Sequence, residues 1–178
     1  LDDCTWAMLC DTKYWTQRQG ENLKVIAERH LTINNRVLED QPFDLVISTH
    51  VCRGNYHSTW AARGGYLPIA PLLFAREKVH TLYLEFDDER SGGFAPLRYV
   101  SPDKTVVLGL VTTKRPDLED PERIRERIKE AAQYVPLSRL SLSPQCGFAS
   151  TEIGNKLTEE DQWKKIALVR DIAQTVWG

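Results

Sequence analysis

The stretch VHTLYLEFDDERSG, residues 79–92, decides how the chain is read. Its first eight residues, VHTLYLEF, are nearly continuous in apolar character, and acids and a glycine then end the run. A strand with one face in water would alternate. A run like this one fits a strand covered on both faces, as in a parallel sheet. Glu85 is the exception inside it. An acid in such a run is expensive to bury unpaired, so packing alone does not account for it.

Four further segments have strand character: LDD (1–3), FDLVIST (43–49), TVVLGLVT (105–112) and LSRLSLS (137–143). Helical patterns separate them. ENLKVIAERHLTINNRVLED (21–40) places Leu23, Ile26, Ala27, His30, Leu31 and Asn34 on one stripe. PERIRERIKEAAQYV (121–135) opens on a favourable first-turn proline and aligns Ile124, Ile128, Ala131 and Val135. TEEDQWKKIALVRDIAQTVW (158–177) has Thr158 as N-cap and acids in its first turn. Its expected core face is Trp163, Ile166, Val169, Ala173 and Val176. A shorter helix is expected near 66–77, and the segment 87–104 reads as loop with one helical turn.

Strands alternating with helices on this scale predict βαβ units and an α/β fold with a parallel sheet. No GxGxxG follows any strand, so a dinucleotide site is not indicated. A (β/α)8 TIM barrel takes ~250 residues, and five strands cannot close one. Residues 1–178 therefore read as a single domain, the C-terminal portion of such a barrel. Its open sheet edges make self-association an expectation.

Composition narrows the function. The 178 residues carry a net charge of −2, which offers no footprint for nucleic acid or an anionic membrane. The longest apolar stretch, LPIAPLLFA (67–75), is too short to span a bilayer. The chain opens on LDDCTW, with neither a signal sequence nor an initiator Met, and reads as a piece whose preceding part is missing. Its four cysteines, Cys4, Cys10, Cys52 and Cys146, could form a disulfide framework, but such frameworks belong to small domains without a core. A reducing, cytoplasmic setting and free or metal-binding thiols are expected instead.

The chemistry-bearing residues fall where strands end. His50 and Cys52 follow FDLVIST, Glu85 closes VHTLYLEF, Cys146 follows LSLSPQ, and Asp2-Asp3 end the first segment. In α/β sheets and barrels the C-terminal strand ends line the functional face. His50 and Cys52, two apart in an extended segment, point the same way. Two thiols, an imidazole and a carboxylate make an acceptable tetrahedral zinc set, and zinc would hold a thiol deprotonated near neutral pH. That chemistry suits alkyl transfer to sulfur. The plainer reading, that each cysteine is a small core hydrophobe, stands beside it. Cys4 and Cys10 read as core or surface thiols, and His30 and His80 as structural. His57 is a further residue near the HxC segment.

STHVCRGN (48–55), LYLEFDDERSG (82–92) and LSPQCGF (142–148), in this order and spacing, resemble the C-terminal catalytic barrel of cobalamin-independent methionine synthase. The short single-barrel bacterial proteins of that family are the most similar. The resemblance extends over nearly the whole chain. It implies a zinc ion held by His50, Cys52, Glu85 and Cys146. It also implies transfer of a methyl group from a methyltetrahydrofolate-type donor to homocysteine or a similar thiol. Asp2, with Asp3 second, matches the pair that receives the homocysteine ammonium. The family's DIHSP motif supplies a histidine that protonates the departing folate; here the segment reads VTTKRP (111–116), and Lys114 stands at that position. A corrinoid or another methyl donor is therefore a standing alternative, as is an inactive fragment or structural zinc protein.

Overall fold

The structure, a computed structural model, describes residues 1–17 and 22–178. Four parallel strands form one sheet in chain order: β1 (Ser48–Val51), β2 (Thr81–Glu85), β3 (Thr105–Val111) and β4 (Leu140–Pro144). The expected fifth strand, LDD, is reduced to a single parallel bridge between Asp2 and His50. Its backbone still pairs as a strand would, with the Asp3 N–H donating to His50 O and the His50 N–H to Leu1 O, both at 2.8 Å.

Among the described residues six α-helices accompany the sheet: α1 (Cys4–Cys10), α2 (Thr12–Gln17), α3 (Leu23–Val37), α4 (Ala70–Arg76), α5 (Pro121–Ala131) and α6 (Glu159–Trp177). Between β2 and β3 the chain makes two 3-10 turns, Glu89–Ser91 and Ala95–Tyr99. Sequence reasoning did not anticipate α1, which is short and begins directly after the first bridge. Its signal is Asp3, whose carboxylate caps the helix by accepting the Thr5 N–H.

β1 starts later than expected. Phe43, Leu45 and Val46 are exposed, because the ladder begins only where Ile47 N–H finds His80 Nδ1 and His80 N–H finds Ile47 O. The strand consequently runs past Thr49 and takes in His50. One side of the sheet carries Leu82, Leu84, Val106, Leu108, Leu110 and Leu140, all buried in the main core with Trp6, Tyr66, Phe74, Phe86 and Phe94. The other side bears His50, Tyr83, Gly109 and Ser143, which line a cleft. Gly109 is required there: a Cβ would stand 2.8 Å from Gln145 Cα and 3.0 Å from Leu84 O.

The stripe expected on α5 is the one buried, with Ile124, Ile128, Ala131 and Val135 all in the core, while of the α3 stripe Ala27 and Leu31 are buried and Leu23, Ile26, His30 and Asn34 half-buried. On α6 the buried face differs. Trp163 and Ile166 are exposed, whereas Lys165 is fully buried beside Ile172. The lysine faces inward because its charge is met there: Nζ donates to Asp117 O at 2.7 Å and to both Glu119 oxygens at 3.1–3.2 Å. Glu119 Oε1 also accepts the Thr112 N–H at 2.8 Å, which fastens the loop after β3. Lys165→Met should lower stability by about 3 kcal/mol, the lower end for removing one partner of a buried pair, since Glu119 retains some solvent contact. Urea denaturation of the two proteins measures the difference.

Candidate metal centre

Parallel register delivers the strand ends to one rim. Ser48 pairs with Thr81, Thr81 with Thr105, and Val106 with Leu140, so successive strands finish near the same level. On this rim His50, Cys52 and Cys146 come together: their donor atoms all lie within 4.8 Å of one another. Two sulfurs and an imidazole nitrogen at such separations suit the edges of a tetrahedron about a zinc ion, with Zn–S of about 2.3 Å and Zn–N of about 2.0 Å.

Each donor is held from behind. His50 Nδ1 pairs with Asp2 Oδ1 at 2.9 Å, and Nε2 lies 3.2 Å from Gln145 O. A carboxylate on one ring nitrogen orients the ring so that the other can serve a metal in place of its contact with the Gln145 carbonyl. Cys52 is buried and interacts with Cys146. The hydrogen bond from Cys52 pulls the Cys146 thiol down to about 6, helped by the His50 charge, the Ser150 hydroxyl and the Gly147 N–H against the cost of burial. Cys52 moves the opposite way, first through that same hydrogen bond and then through burial. The shared hydrogen bond thus pushes the two thiols in opposite directions, Cys146 toward the thiolate and Cys52 toward the thiol.

Glu85 borders this group. Its side chain is fully buried, and Oε1 stands 3.9 Å from His50 Nε2. Oε1 accepts the Arg53 N–H at 2.7 Å, and Oε2 accepts from Arg90 Nη2 at 2.9 Å. Burial raises its pKa, while these donors and Lys114 oppose the rise. Arg90, also buried, pairs with Asp87 and Asp88 as well, and so ties the loop after β2 to the site.

Lys114 is drawn in too. Its Nζ donates to Asn55 Oδ1 at 2.9 Å, and burial lowers its pKa against the attraction of Glu85. Asn55, a residue sequence reasoning passed over, ties three loops together. Its Nδ2 donates to Gly147 O at 2.6 Å and to Ser150 Oγ at 2.8 Å, while Oδ1 receives Lys114. Its place three residues after Cys52, in RGN, was the available signal.

The two aspartates diverge. Asp2 is largely exposed and faces His50. Asp3 is buried: it caps α1, and its Oδ2 takes His30 Nε2 at 2.7 Å and Asn34 Nδ2 at 2.9 Å. His57 stands in a left-handed backbone conformation (φ 45°) in the loop after β1 and does not join the group of three. Beside the donors a cleft of about 230 Å³ is lined by His50, Tyr83, Gly109, Ser143, Gln145 and Cys146, among others. Tyr83 on its wall is the other residue missed from the sequence, since it reads there as one more apolar strand position.

The chain matches the family model described as cobalamin-independent synthase, catalytic domain, over residues 29–174. Two Bacillus subtilis (strain 168) proteins, YxjG and YxjH, both described as uncharacterized, are each 49% identical to it over 180 and 183 residues. Each alignment covers 99% of this chain and 48% of the relative, so the chain spans about half the length of these proteins. A Listeria monocytogenes structure, assigned to the vitamin-B12 independent methionine synthases, superposes with a TM-score of 0.77 at 39% identity, covering 100% of this chain and 48% of that one. A B12-independent methionine synthase from Shewanella sp. W3-18-1, solved with selenomethionine, superposes at 0.72 with 14% identity over 98% of this chain and 47% of that one, which speaks to the fold. With a partial barrel of the same architecture and a family match over most of its length, the chain belongs to the cobalamin-independent methionine synthase catalytic-domain family.

Proposed function

We propose that the protein is a zinc-dependent S-methyltransferase, with homocysteine or a similar thiol as acceptor and a methyltetrahydrofolate-type compound as donor. The observation that supports this most is the convergence of His50, Cys52 and Cys146, with Glu85 at its border, beside an open cleft. His50, Cys52 and Cys146 are the zinc ligands in this reading, with Glu85 the fourth. Zinc held there supplies one thing: it keeps an acceptor thiol deprotonated at neutral pH.

The remaining work falls to the chain. Asp2 receives the acceptor's ammonium, a role its exposure favours over Asp3, whose oxygens already take three hydrogen bonds. The thiolate takes the methyl group, the electron pair of the broken bond stays on the donor, and Lys114 protonates that atom. A solvated lysine is a poor acid partner at neutral pH, with a pKa of about 10.4. Burial lowers the pKa of Lys114, and a lower pKa makes proton release easier, while Asn55 fixes its aim. Tyr83 and Ser143 form a wall of the cleft against which the acceptor is placed.

Lys114 in the histidine position also favours a second reading, in which a corrinoid or another methylated compound is the donor. The reducing, cytoplasmic setting rests on four free thiols and on chemistry that needs them reduced. No helix among the described residues is long and apolar enough to cross a membrane. Because the sheet walls only one side of the cleft, the 178 residues alone are expected to hold metal without turnover. The unpaired side of β4 leaves self-association open to such a piece.

Elemental analysis of purified protein should find about one zinc per chain, and Cys146→Ser should abolish it. Protein purified without metal and unable to bind added zinc would refute the proposal. In the full-length protein, Lys114→Met should cut methyl transfer by about 10²–10⁴-fold without reducing zinc content. A panel of donors assayed with that protein separates the two readings, and efficient turnover with methyltetrahydrofolate removes the second. In metal-free protein the Cys146 thiolate forms as pH rises through about 6, so its alkylation by iodoacetamide should rise there. Cys52→Ala should move that midpoint up toward the ordinary value of about 8.5.

A further inference from the structure

One buried cation beside the site has no hydrogen-bonding partner. Arg53, directly after Cys52, is 1% exposed, yet Nε, Nη1 and Nη2 all lack a hydrogen bond among the described residues. A guanidinium carries five N–H donors, and burying them unpaired is costly, so packing alone does not account for an arginine here. Its charge instead rests 4.5 Å above the ring of Tyr66. That ring is fully buried and packs against both Phe74 and Phe86, with centroids 5.6 and 5.2 Å away.

Both ends of this stack return to Glu85. The Arg53 N–H donates to Glu85 Oε1 at 2.7 Å, and the Tyr66 hydroxyl donates to Glu85 O at 3.1 Å. The contacts close a ring that joins the loop after β1 to the end of β2. It runs from the Glu85 carbonyl through Tyr66, the Arg53 guanidinium and the Arg53 backbone to the Glu85 carboxylate. The Arg53 carbonyl is held too, by the N–H groups of Ala61 and Ala62 at 2.8 and 3.0 Å. Oε1 is the oxygen that stands 3.9 Å from His50 Nε2. A carboxylate oxygen has two lone pairs, so Oε1 keeps one for a metal while the Arg53 N–H occupies the other. Arg90 holds Oε2 at 2.9 Å, which leaves the carboxylate little freedom to turn.

We propose that Arg53 is a positioning residue of this centre: its guanidinium, seated on Tyr66, fixes the backbone N–H that aims Glu85 Oε1 at the metal. The inference rests on the metal-centre reading with Glu85 as fourth ligand, and extends it to a side chain that is not itself a donor to the metal. The guanidinium acts through its charge on the ring and not through its fork of donors, since none of them is bonded. An ammonium over the same ring can therefore stand in for it. A neutral side chain of similar length cannot, and the loop after β1 then loses its hold on the carboxylate.

Zinc affinity, read by competition with a chelating dye, tests this. Arg53→Met should weaken zinc binding about 10–100-fold, the usual effect of removing a group that orients a ligand, and Arg53→Lys should recover most of it. Tyr66→Phe keeps the ring but cuts its link to the Glu85 carbonyl, and should weaken binding as well. In a Glu85→Gln background, Arg53→Met and Tyr66→Phe should make no further difference, because both act through Glu85. Thermal unfolding of the metal-free proteins measures any loss of fold separately, and Tyr66→Phe carries the comparison if Arg53→Met does not fold. Losses of equal size in both backgrounds would overturn the positioning role and leave the centre standing. So would unchanged affinity in both variants, or an Arg53→Lys protein as weak as Arg53→Met. A wild type that binds no zinc would overturn the centre and this inference together.

Discussion

Parallel pairing fixes the height at which every reactive group emerges. Asp2 opposite His50, Ser48 opposite Thr81, Thr81 opposite Thr105 and Val106 opposite Leu140 form one continuous ladder. Side chains on parallel neighbours at equal height lie side by side, so strands far apart in sequence end as neighbours on one rim. The apolar face beneath, from Leu82 to Leu140, makes that register costly to shift, because a slip of one residue would carry the buried row to the opposite face. Gly109 adds a steric reason. It lets β3 approach the backbone at Gln145, and Cys146 follows directly.

A buried negative charge is the second constraint. Glu85 has no solvent contact, and it is tolerated because Arg90 and the Arg53 N–H meet its oxygens. The Arg53 guanidinium is buried as well. Its nitrogens make no hydrogen bond among the described residues, and its charge rests 4.5 Å above the ring of Tyr66, whose hydroxyl donates to Glu85 O. Arg53, Arg90 and Lys114 on one side and Glu85, Asp87 and Asp88 on the other thus form a charge-balanced cluster at the base of the thiols.

Cross-ties between loops complete the site. Asn55 joins the loops after β1, β3 and β4, while Lys165 and Glu119 anchor the β3 loop to α6. These side chains contribute little area, yet they decide where Lys114 and Cys146 point. Loops held at both ends by buried polar groups can carry reactive side chains with small positional error, which a proton donor and a thiolate both require.

Much of this was legible in the residues. Continuous apolar runs separated by helical stripes fixed the α/β class and the parallel sheet, since burial on both faces removes alternation. Glu85 stood out because hydrocarbon neighbours make an acid conspicuous, and the HxC spacing put His50 and Cys52 on one side of a strand. The sequence could not set where β1 begins, because Phe43–Val46 are as apolar as a strand but have no partner to pair with. Nor could it orient α6, where Lys165 points inward only because Glu119, 46 residues earlier, waits there. Which acid holds His50 depended on register between segments 48 residues apart. Residue chemistry and periodicity are local properties and survive in one dimension; charge compensation and proximity exist only once the chain has folded.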